Sequence, residues 1–117
     1  LVSRRDDESK NSYPMDDVQN TIKKLLDEIQ DNLYKNSENT LKENTTHVES
    51  FSELIEVLNS KKGFVSCFWK ENKEDELKIK EETSATLRCY PLENTDSEKA
   101  VNSDSENGNF AIFSKAY

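Results

Sequence analysis

Three short segments rich in aromatic and β-branched residues most restrict the fold that this chain can adopt. They are FVSCFW at 64–69, ATLRCY at 85–90 and FAIF at 110–113, and charged or polar residues separate each from the next. Segments of this length and composition are typical of buried β-strands. Pro91 ends the second segment, because proline has no N–H group to donate to a sheet ladder. The sequence therefore predicts a small β-sheet in its C-terminal half.

The residues between these strands favour helices. Ser50 and Glu53 form a capping box at the start of one helix, and residues 71–83 are rich in helix formers, with Leu77 as the expected apolar anchor. A short extended segment around His47–Val48 precedes the first helix. The predicted order is therefore strand, helix, strand, helix, strand, strand. This is a two-layer α/β (α+β) unit with a mixed sheet and its helices on one face. Its two crossovers would be parallel and right-handed, and its last strand antiparallel.

A longer amphipathic helix is predicted before this unit. Apolar residues recur at helical spacing along one narrow stripe. The stripe consists of Val18, Ile22, Leu25, Leu26, Ile29 and Leu33. The helix is expected to run from Asp17 to about Glu38, with Asp16 as its N-cap, and to end at the polar segment NSENTLKENTT. A stripe this narrow indicates a helix that lies against a surface.

The composition excludes several kinds of protein. The 117 residues carry a net charge of -8, and 34% of them are charged while 32% are hydrophobic, which suits one soluble domain with a small core. An acidic chain is a poor phosphate-binding surface. No apolar run approaches the ~18 residues needed to span a membrane. Cys67 and Cys89 show no CxxC spacing, which favours a reducing cytoplasm over a disulfide framework or a metal knuckle.

Two segments are predicted to be irregular. The first residues, LVSRRDDESK, lack both an initiator Met and the apolar stretch of a signal peptide, which predicts a piece of a longer protein. Residues 93–109 contain only polar and acidic residues apart from a few small ones, without periodicity, so they are predicted to form a mobile loop.

No pattern in the sequence predicts a catalytic site. The only glycines, Gly63 and Gly108, are too far apart to form a phosphate-binding loop. His47 is interpreted as a surface or sheet-edge residue rather than a base. The two cysteines are interpreted as small buried hydrophobic residues rather than reactive thiols. Trp69 is expected to pack in the core rather than contact a partner.

Five stretches carry a family resemblance when taken together. They are RRDD at 4–7, TIKKLLDEIQDNLY at 21–34, KKGFV at 61–65, KIKEETSATLRCYP at 78–91 and IFSKAY at 112–117. In this order and spacing they resemble the C-terminal part of prolyl-tRNA synthetase, of the type shared by eukaryotes, archaea and some bacteria. The resemblance covers nearly the whole chain and is weakest over 92–108.

The resemblance implies a division of the chain and a parent enzyme. Residues 1–16 would end the anticodon-binding domain, 17–45 would form a connector helix and linker, and 46–117 would form the extra C-terminal domain. That domain is similar to the C-terminal domain of translation initiation factor three. The parent would be a cytoplasmic class II aminoacyl-tRNA synthetase that joins proline to its tRNA using ATP and Mg²⁺. It would dimerise through its catalytic domain, and its catalytic residues would all lie outside this chain.

One family feature is absent from this sequence. Many members bind a structural zinc ion through four cysteines, one pair after the strand FVSCFW and one pair in the loop before the last strand. Lys70 and Asp75 occupy the positions of the first pair, and residues 93–108 contain no cysteine. A tetrahedral structural zinc site needs about four Cys or His ligands. The resemblance therefore implies a version of the domain without zinc or any other metal.

The last residue is the one site residue that the resemblance implies. In the family the C-terminal tyrosine is directed toward the catalytic domain, so Tyr117 would support the active site with its ring and its carboxylate. The alternative is that Tyr117 caps the local core. A different class of function also stays open: a free-standing RNA- or protein-binding module without ligase activity.

Overall fold

The chain divides between Lys42 and Glu43 into two units. The structure is a computed structural model and describes residues 1–116. In the N-terminal unit, strands β1 (Val2–Ser3) and β2 (Lys10–Asn11) pair antiparallel. One turn of 3₁₀ helix, Met15–Asp17, then leads into helix α1 (Val18–Glu43).

Helix α1 is longer than its sequence pattern predicts. It continues five residues past Glu38 to Glu43, so the prediction that the polar segment begins with a break was wrong. The Thr40 hydroxyl donates to the carbonyl of Asn36 (2.8 Å), and Lys42 forms an i,i+4 ion pair with Glu38 (3.2 Å). These polar side chains therefore belong to an exposed helical turn. Asp16 is not the N-cap either, since it lies inside the 3₁₀ turn that follows Pro14.

The C-terminal unit has the predicted order of elements with one addition. Its elements are β3 (Thr45–His47), α2 (Phe51–Ser60), β4 (Phe64–Trp69), α3 (Lys73–Thr83), β5 (Ala85–Cys89), β6 (Ser97–Lys99) and β7 (Asn107–Lys115). The added strand is β6, which pairs antiparallel with the first residues of β7. The prediction of an irregular loop over 93–109 was therefore wrong at both strands. All three residues of β6 are exposed, so the strand has no apolar pattern. Besides the backbone pairing, the Ser97 hydroxyl donates to the carbonyl of Gly108 in β7 (3.1 Å).

The strand directions agree with the predicted mixed sheet. The order across the sheet is β3-β4-β7-β5, with β6 beside β7. β3 is parallel to β4, whereas β7 is antiparallel to β4, β5 and β6. The last long strand in the sequence therefore lies at the centre of the sheet, between two strands that precede it.

One face of the sheet forms the hydrophobic core. Alternate residues of β4 and β7 point to this face, where side chains of α2 and α3 meet them. The buried core consists of Val48, Leu54, Leu58, Val65, Cys67, Trp69, Ile79, Ala85, Ala111 and Phe113. Ile79, rather than the predicted Leu77, anchors α3, because Leu77 is 56% exposed.

Close packing surrounds Trp69, as the sequence predicts. Its ring lies 4.9 Å from that of Phe113 in an edge-to-face contact and 6.2 Å from that of Phe51. A Cβ atom at Gly108 would lie 2.4 Å from the carbonyl carbon of Trp69, so only glycine lets β7 approach β4 here. The indole Nε1 is buried and has no hydrogen-bond partner among residues 1–116.

Candidate functional site

The strand that leads to Tyr117 is firmly held in the sheet. β7 pairs with β4 from Asn109 to Ser114 and with β5 along its other edge. The Ser114 side chain is buried and donates to the carbonyl of Gly63 at 3.1 Å. Tyr117 itself lies outside the described residues, two positions after the last residue of β7. Lys115, the last residue of β7, therefore has a fixed place in the sheet.

The second face of the sheet carries a cluster of three rings. Residues alternate along a strand, so Phe68 points away from the core that contains Cys67 and Trp69. It meets Phe110 of β7 edge to face (5.6 Å between centroids), and His47 of β3 stacks on Phe110 (6.1 Å). His47 is on the edge strand and exposed, as predicted. The cluster is a half-open aromatic surface on the face opposite the helices.

His47 has a further contact with a serine but does not form a catalytic pair with it. Its Nδ1 lies 3.1 Å from the hydroxyl of Ser66, its neighbour on β4. Ser66 is only 3% exposed and sits within a paired strand, so its oxygen is not open to a substrate. The contact joins β3 to β4, in agreement with the interpretation of His47 as a sheet-edge residue.

A cavity of about 540 Å³ opens beside this aromatic surface. It lies between the start of α2 and the segment that follows β6. Its charged lining residues are Glu49, Glu98, Lys99 and Asp104. Three carboxylates against one ammonium disfavour a phosphate or another anionic ligand here. Within residues 1–116, no group of three or more His, Cys, Asp or Glu side chains is arranged to hold a metal ion.

The two cysteines lie in different surroundings. Cys67 is fully buried, and burial raises the pKa of its thiol to about 12, so it stays protonated and unreactive at neutral pH. Cys89 is exposed, so the prediction that both cysteines are buried was wrong for this one. The pairing of β5 with β7 shifts register between Leu87 and Cys89, and β5 leaves the core at that irregularity.

Lys70 and Asp75 are joined by Asn102, which lies in the segment predicted to be an irregular loop. The Asn102 side chain accepts a hydrogen bond from the Lys70 backbone N–H (2.9 Å) and donates to the Lys70 carbonyl (2.8 Å). It also donates to a carboxylate oxygen of Asp75 (3.0 Å). The Lys70 ammonium forms an ion pair with Glu106. A loop of Asn, Ser and acidic residues gives no periodic signal that would have identified Asn102.

The RRDD stretch forms a polar network in the N-terminal unit. Arg4 donates twice to the Asp6 carboxylate (2.8 and 3.1 Å) and once to Glu28 of α1 (3.1 Å). Asn32 of α1 also donates to the Asp6 carboxylate at 2.8 Å. These bonds, led by that from Arg4, hold the pKa of Asp6 well below its usual range. The network attaches the β1–β2 turn to helix α1 through hydrogen bonds and ion pairs.

A family described as "Prolyl-tRNA synthetase, C-terminal" matches residues 51–117, more than half of the chain. The chain belongs to this family. It is 35% identical over 117 residues to a proline–tRNA ligase of Amoebophilus asiaticus, a match that covers 99% of this chain and 24% of the relative. It is also 35% identical over 118 residues to proline–tRNA ligase 2 of Clostridioides difficile, covering 100% of this chain and 24% of that relative.

Solved structures of this family share the fold. A prolyl-tRNA synthetase from Cryptosporidium parvum, complexed with L-proline and AMP, matches 98% of this chain with a TM-score of 0.84 and 27% identity. The same enzyme complexed with halofuginone and AMPPNP gives a TM-score of 0.86 at 27% identity. The chain spans about a quarter of the length of these relatives. The resemblance to this family and the mixed α/β fold are thus both confirmed.

No described helix of this family member is both long enough and apolar enough to cross a bilayer. Helix α1 has the length, with 26 residues, but charged and polar side chains surround its apolar stripe.

Proposed function

We propose that this chain is the C-terminal, non-catalytic part of a proline–tRNA ligase, which attaches proline to its tRNA using ATP and Mg²⁺. The observation that carries the proposal is the family match over residues 51–117, joined to relatives named as proline–tRNA ligases that align with the whole chain. The chemistry belongs to the rest of the polypeptide. This segment binds neither ATP nor Mg²⁺ and contributes structure.

The partners and location follow from the same proposal. The segment associates with the catalytic and anticodon-binding domains of its own polypeptide and, through them, with the tRNA for proline. The enzyme dimerises through its catalytic domain and works in the cytoplasm. Residues 1–16 end the anticodon-binding domain, 17–45 connect, and 46–117 form the added domain. The division of the structure at Glu43, close to the second of these boundaries, supports the assignment.

We infer further that Tyr117 supports the active site of the parent enzyme. The central position of β7 supports this role, because a strand paired on both edges gives the following residues a fixed origin. Two peptide steps of ~3.8 Å limit how far Tyr117 can lie from Lys115. A ring and a carboxylate delivered from so short a tether would be positioned with little loss of entropy.

The test compares variants of the full-length enzyme by proline-dependent pyrophosphate exchange. Deletion of Tyr117 and the variant Tyr117→Ala are both expected to lower proline activation about 10- to 100-fold, since small displacements near reacting groups have effects of this size. The matched control is Tyr90→Ala, because Tyr90 is a partly exposed tyrosine of the same unit. Unchanged activation after deletion, with the control also unchanged, would exclude the active-site role and favour the local cap.

A separate measurement tests the ligase assignment itself. The full-length enzyme is expected to charge the tRNA for proline, whereas residues 1–117 alone are expected to give neither pyrophosphate exchange nor charged tRNA. Activity of the isolated chain, or charging with another amino acid by the full-length protein, would overturn the assignment.

One observation favours a second candidate function, a free-standing nucleic-acid-binding module. The half-open rings of His47, Phe68 and Phe110 could stack on single-stranded bases, as aromatic sheet faces do in RNA-binding modules. The net charge of -8 opposes it, because phosphate contacts supply most of such affinity. Fluorescence anisotropy with a labelled oligonucleotide is expected to show no binding below 100 µM; tighter binding lost in Phe68→Ser would favour this module.

A further inference from the structure

The Asn102 side chain hydrogen-bonds the backbone of Lys70, the first residue after strand β4. β4 stops at Trp69, and the next residue, Lys70, has no strand partner for its backbone. The amide of Asn102 supplies one, since its oxygen accepts from the Lys70 N–H and its nitrogen donates to the Lys70 carbonyl. A primary amide presents its donor and acceptor side by side, as a strand backbone does. The side chain therefore substitutes for one more residue pair of the sheet.

The same amide also reaches the first turn of α3. Its nitrogen donates to the Asp75 carboxylate, two residues after the helix begins at Lys73. A carboxylate in the first turn of a helix is favoured by the helix dipole. Asn102 thus contacts both elements on either side of the β4–α3 turn at once.

We propose that Lys70, Asp75, Asn102 and Glu106 form a metal-free clasp, in which the Asn102 amide locks the 100–106 loop onto the end of β4. The proposal deepens the family assignment, because Lys70 and Asp75 stand where the resemblance places two zinc ligands. The clasp joins the same two parts of the chain that zinc would join. It does so with side-chain hydrogen bonds and one ion pair.

The donor set does not fit zinc. Lys70 brings a positive charge that pairs with Glu106, and a cation repels a metal ion. The Asn102 oxygen already accepts from a backbone N–H, and the Asp75 oxygen accepts from the amide nitrogen. Structural zinc takes about four Cys or His ligands, none of which these four residues provide. The clasp is therefore a replacement for a metal site and not a weak form of one.

The loop that the clasp holds is part of the core boundary. The Val101 N–H donates to the carbonyl of Phe68 (2.9 Å), and Ala100 is 3% exposed. The Ala100 N–H donates to the carbonyl of Glu106 (3.1 Å), which closes the loop on itself. If Asn102 releases Lys70, the neighbouring Val101–Phe68 bond loses its support. The Val101 N–H is therefore a reporter, because its own hydrogen bond is to Phe68 and not to the Asn102 side chain.

The decisive variant is Asn102→Asp, which keeps the shape and one acceptor but removes both donated bonds. It also sets a carboxylate against the Lys70 carbonyl and against Asp75. We expect the Val101 amide to exchange its hydrogen about 10- to 100-fold faster, measured by NMR at neutral pH. The matched control is Asn94→Asp, because the Asn94 side chain accepts a single local bond from the Asp96 N–H. The control is expected to leave Val101 exchange within threefold of the wild type.

Milder variants rank the parts of the clasp if Asn102→Asp fails to fold. Lys70→Met removes only the ion pair with Glu106 and is expected to change Val101 exchange less than threefold, since exposed ion pairs contribute little. Asn102→Ala is expected to increase the exchange rate of the Val101 amide at least threefold more than Lys70→Met does. A smaller effect of Asn102→Ala than of Lys70→Met, or unchanged Val101 exchange in both Asn102 variants, would overturn the proposal.

Adding or removing zinc provides an independent test of the proposal. Equimolar zinc added to the purified 117-residue chain, and a chelator added in a second sample, are both expected to leave Val101 exchange unchanged. One zinc ion per chain retained through gel filtration, or faster Val101 exchange on chelation, would show that a metal holds the loop and would overturn the clasp.

Discussion

Helices α1 and α2 both have an amphipathic sequence pattern, but they differ in how much of their apolar side they bury. α1 has 26 residues and buries only Leu25. α2 has ten residues and buries Leu54 and Leu58 almost completely, against the core of the sheet. Tertiary packing therefore covers a much smaller part of the longer helix than of the shorter one. Length and periodicity therefore predict that a helix exists but not what holds it.

The stripe of α1 shows the difference residue by residue. Val18, Ile22, Leu26 and Leu33 are each between 39% and 61% exposed. Polar contacts from Arg4, Asp6 and Asn32 connect the helix to the β1–β2 turn. Substitutions should accordingly cost much in the core of the C-terminal unit and little at these exposed stripe positions.

The largest effect is expected in the core of the C-terminal unit. Phe113 is fully buried at the centre of the sheet and packs on Trp69. Phe113→Ala should lower the free energy of unfolding by about 3–5 kcal/mol, the usual range for emptying an aromatic core site. Denaturant unfolding followed by Trp69 fluorescence measures it. A cost below about 1.5 kcal/mol would mean that this unit is no better packed than the first.

A smaller but still large effect is expected where backbone shape controls the core. Gly63 has φ +111°, and a Cβ there would lie 2.3 Å from the carbonyl oxygen of Asn44. That oxygen already accepts from the Phe64 N–H, so it cannot move freely. Gly63→Ala should cost about 2–4 kcal/mol by the same unfolding measurement, because strain and a steric clash act together. Lys62→Ala is the neighbouring control and should cost less than about 0.5 kcal/mol.

Acid should affect the N-terminal unit through its polar network. The pKa of Asp6 is lowered in the folded chain, so its stabilising effect is present above its ordinary pKa of about 4 and is lost as pH falls further. NMR signals of residues 2–11 should therefore broaden or shift below about pH 4, while those of β4 persist to lower pH. In Asp6→Asn the signals of 2–11 should already be altered at pH 7 and show less further change in acid. Identical acid transitions in both units of the wild type would contradict this contrast.

The smallest effect is expected on the α1 stripe. Leu26 is 61% exposed, and glutamine has similar helix propensity. Leu26→Gln should change the free energy of unfolding by less than about 0.5 kcal/mol, measured by helix circular dichroism during denaturation. Leu25→Gln, at the buried neighbouring position, is the matched contrast and should cost more. A loss above 1.5 kcal/mol for Leu26→Gln would show that the stripe is already covered in this chain.

Strong local patterns predicted most of the fold. The aromatic and β-branched composition of FVSCFW predicted a buried strand, and the capping box at Ser50 predicted the start of α2. The mixed strand directions were predicted from the order of elements: a helix between two strands predicts a parallel crossover, and the final strand was predicted to be antiparallel. These features depend on residues close together in the chain, so the sequence alone predicts them.

The incorrect predictions concern residues whose environment depends on exposure or on distant parts of the chain. β6 and the last turn of α1 are polar because they are exposed, and exposed regular structure has no apolar period. Cys89 and Leu77 are apolar residues that tertiary geometry leaves outside the core. The clasp was missed because Asn102 lies 32 residues from Lys70, and the resemblance pointed to only two of its members. Its partners become neighbours only after the sheet has formed.

The position of β7 has a consequence for how the C-terminal unit is made. Among the strands within residues 1–116, β7 is the last in the sequence, yet it lies between β4 and β5 and pairs with both. On a ribosome that adds roughly 5–20 residues per second, β3, α2, β4, α3 and β5 would emerge with the sheet still open along its middle. The edge of β4 that pairs with β7 would stay unpaired until residues 107–115 were released. Assembly of this domain is thus a late and concerted event, and a stalled or shortened message would yield a half-sheet with two unpaired edges.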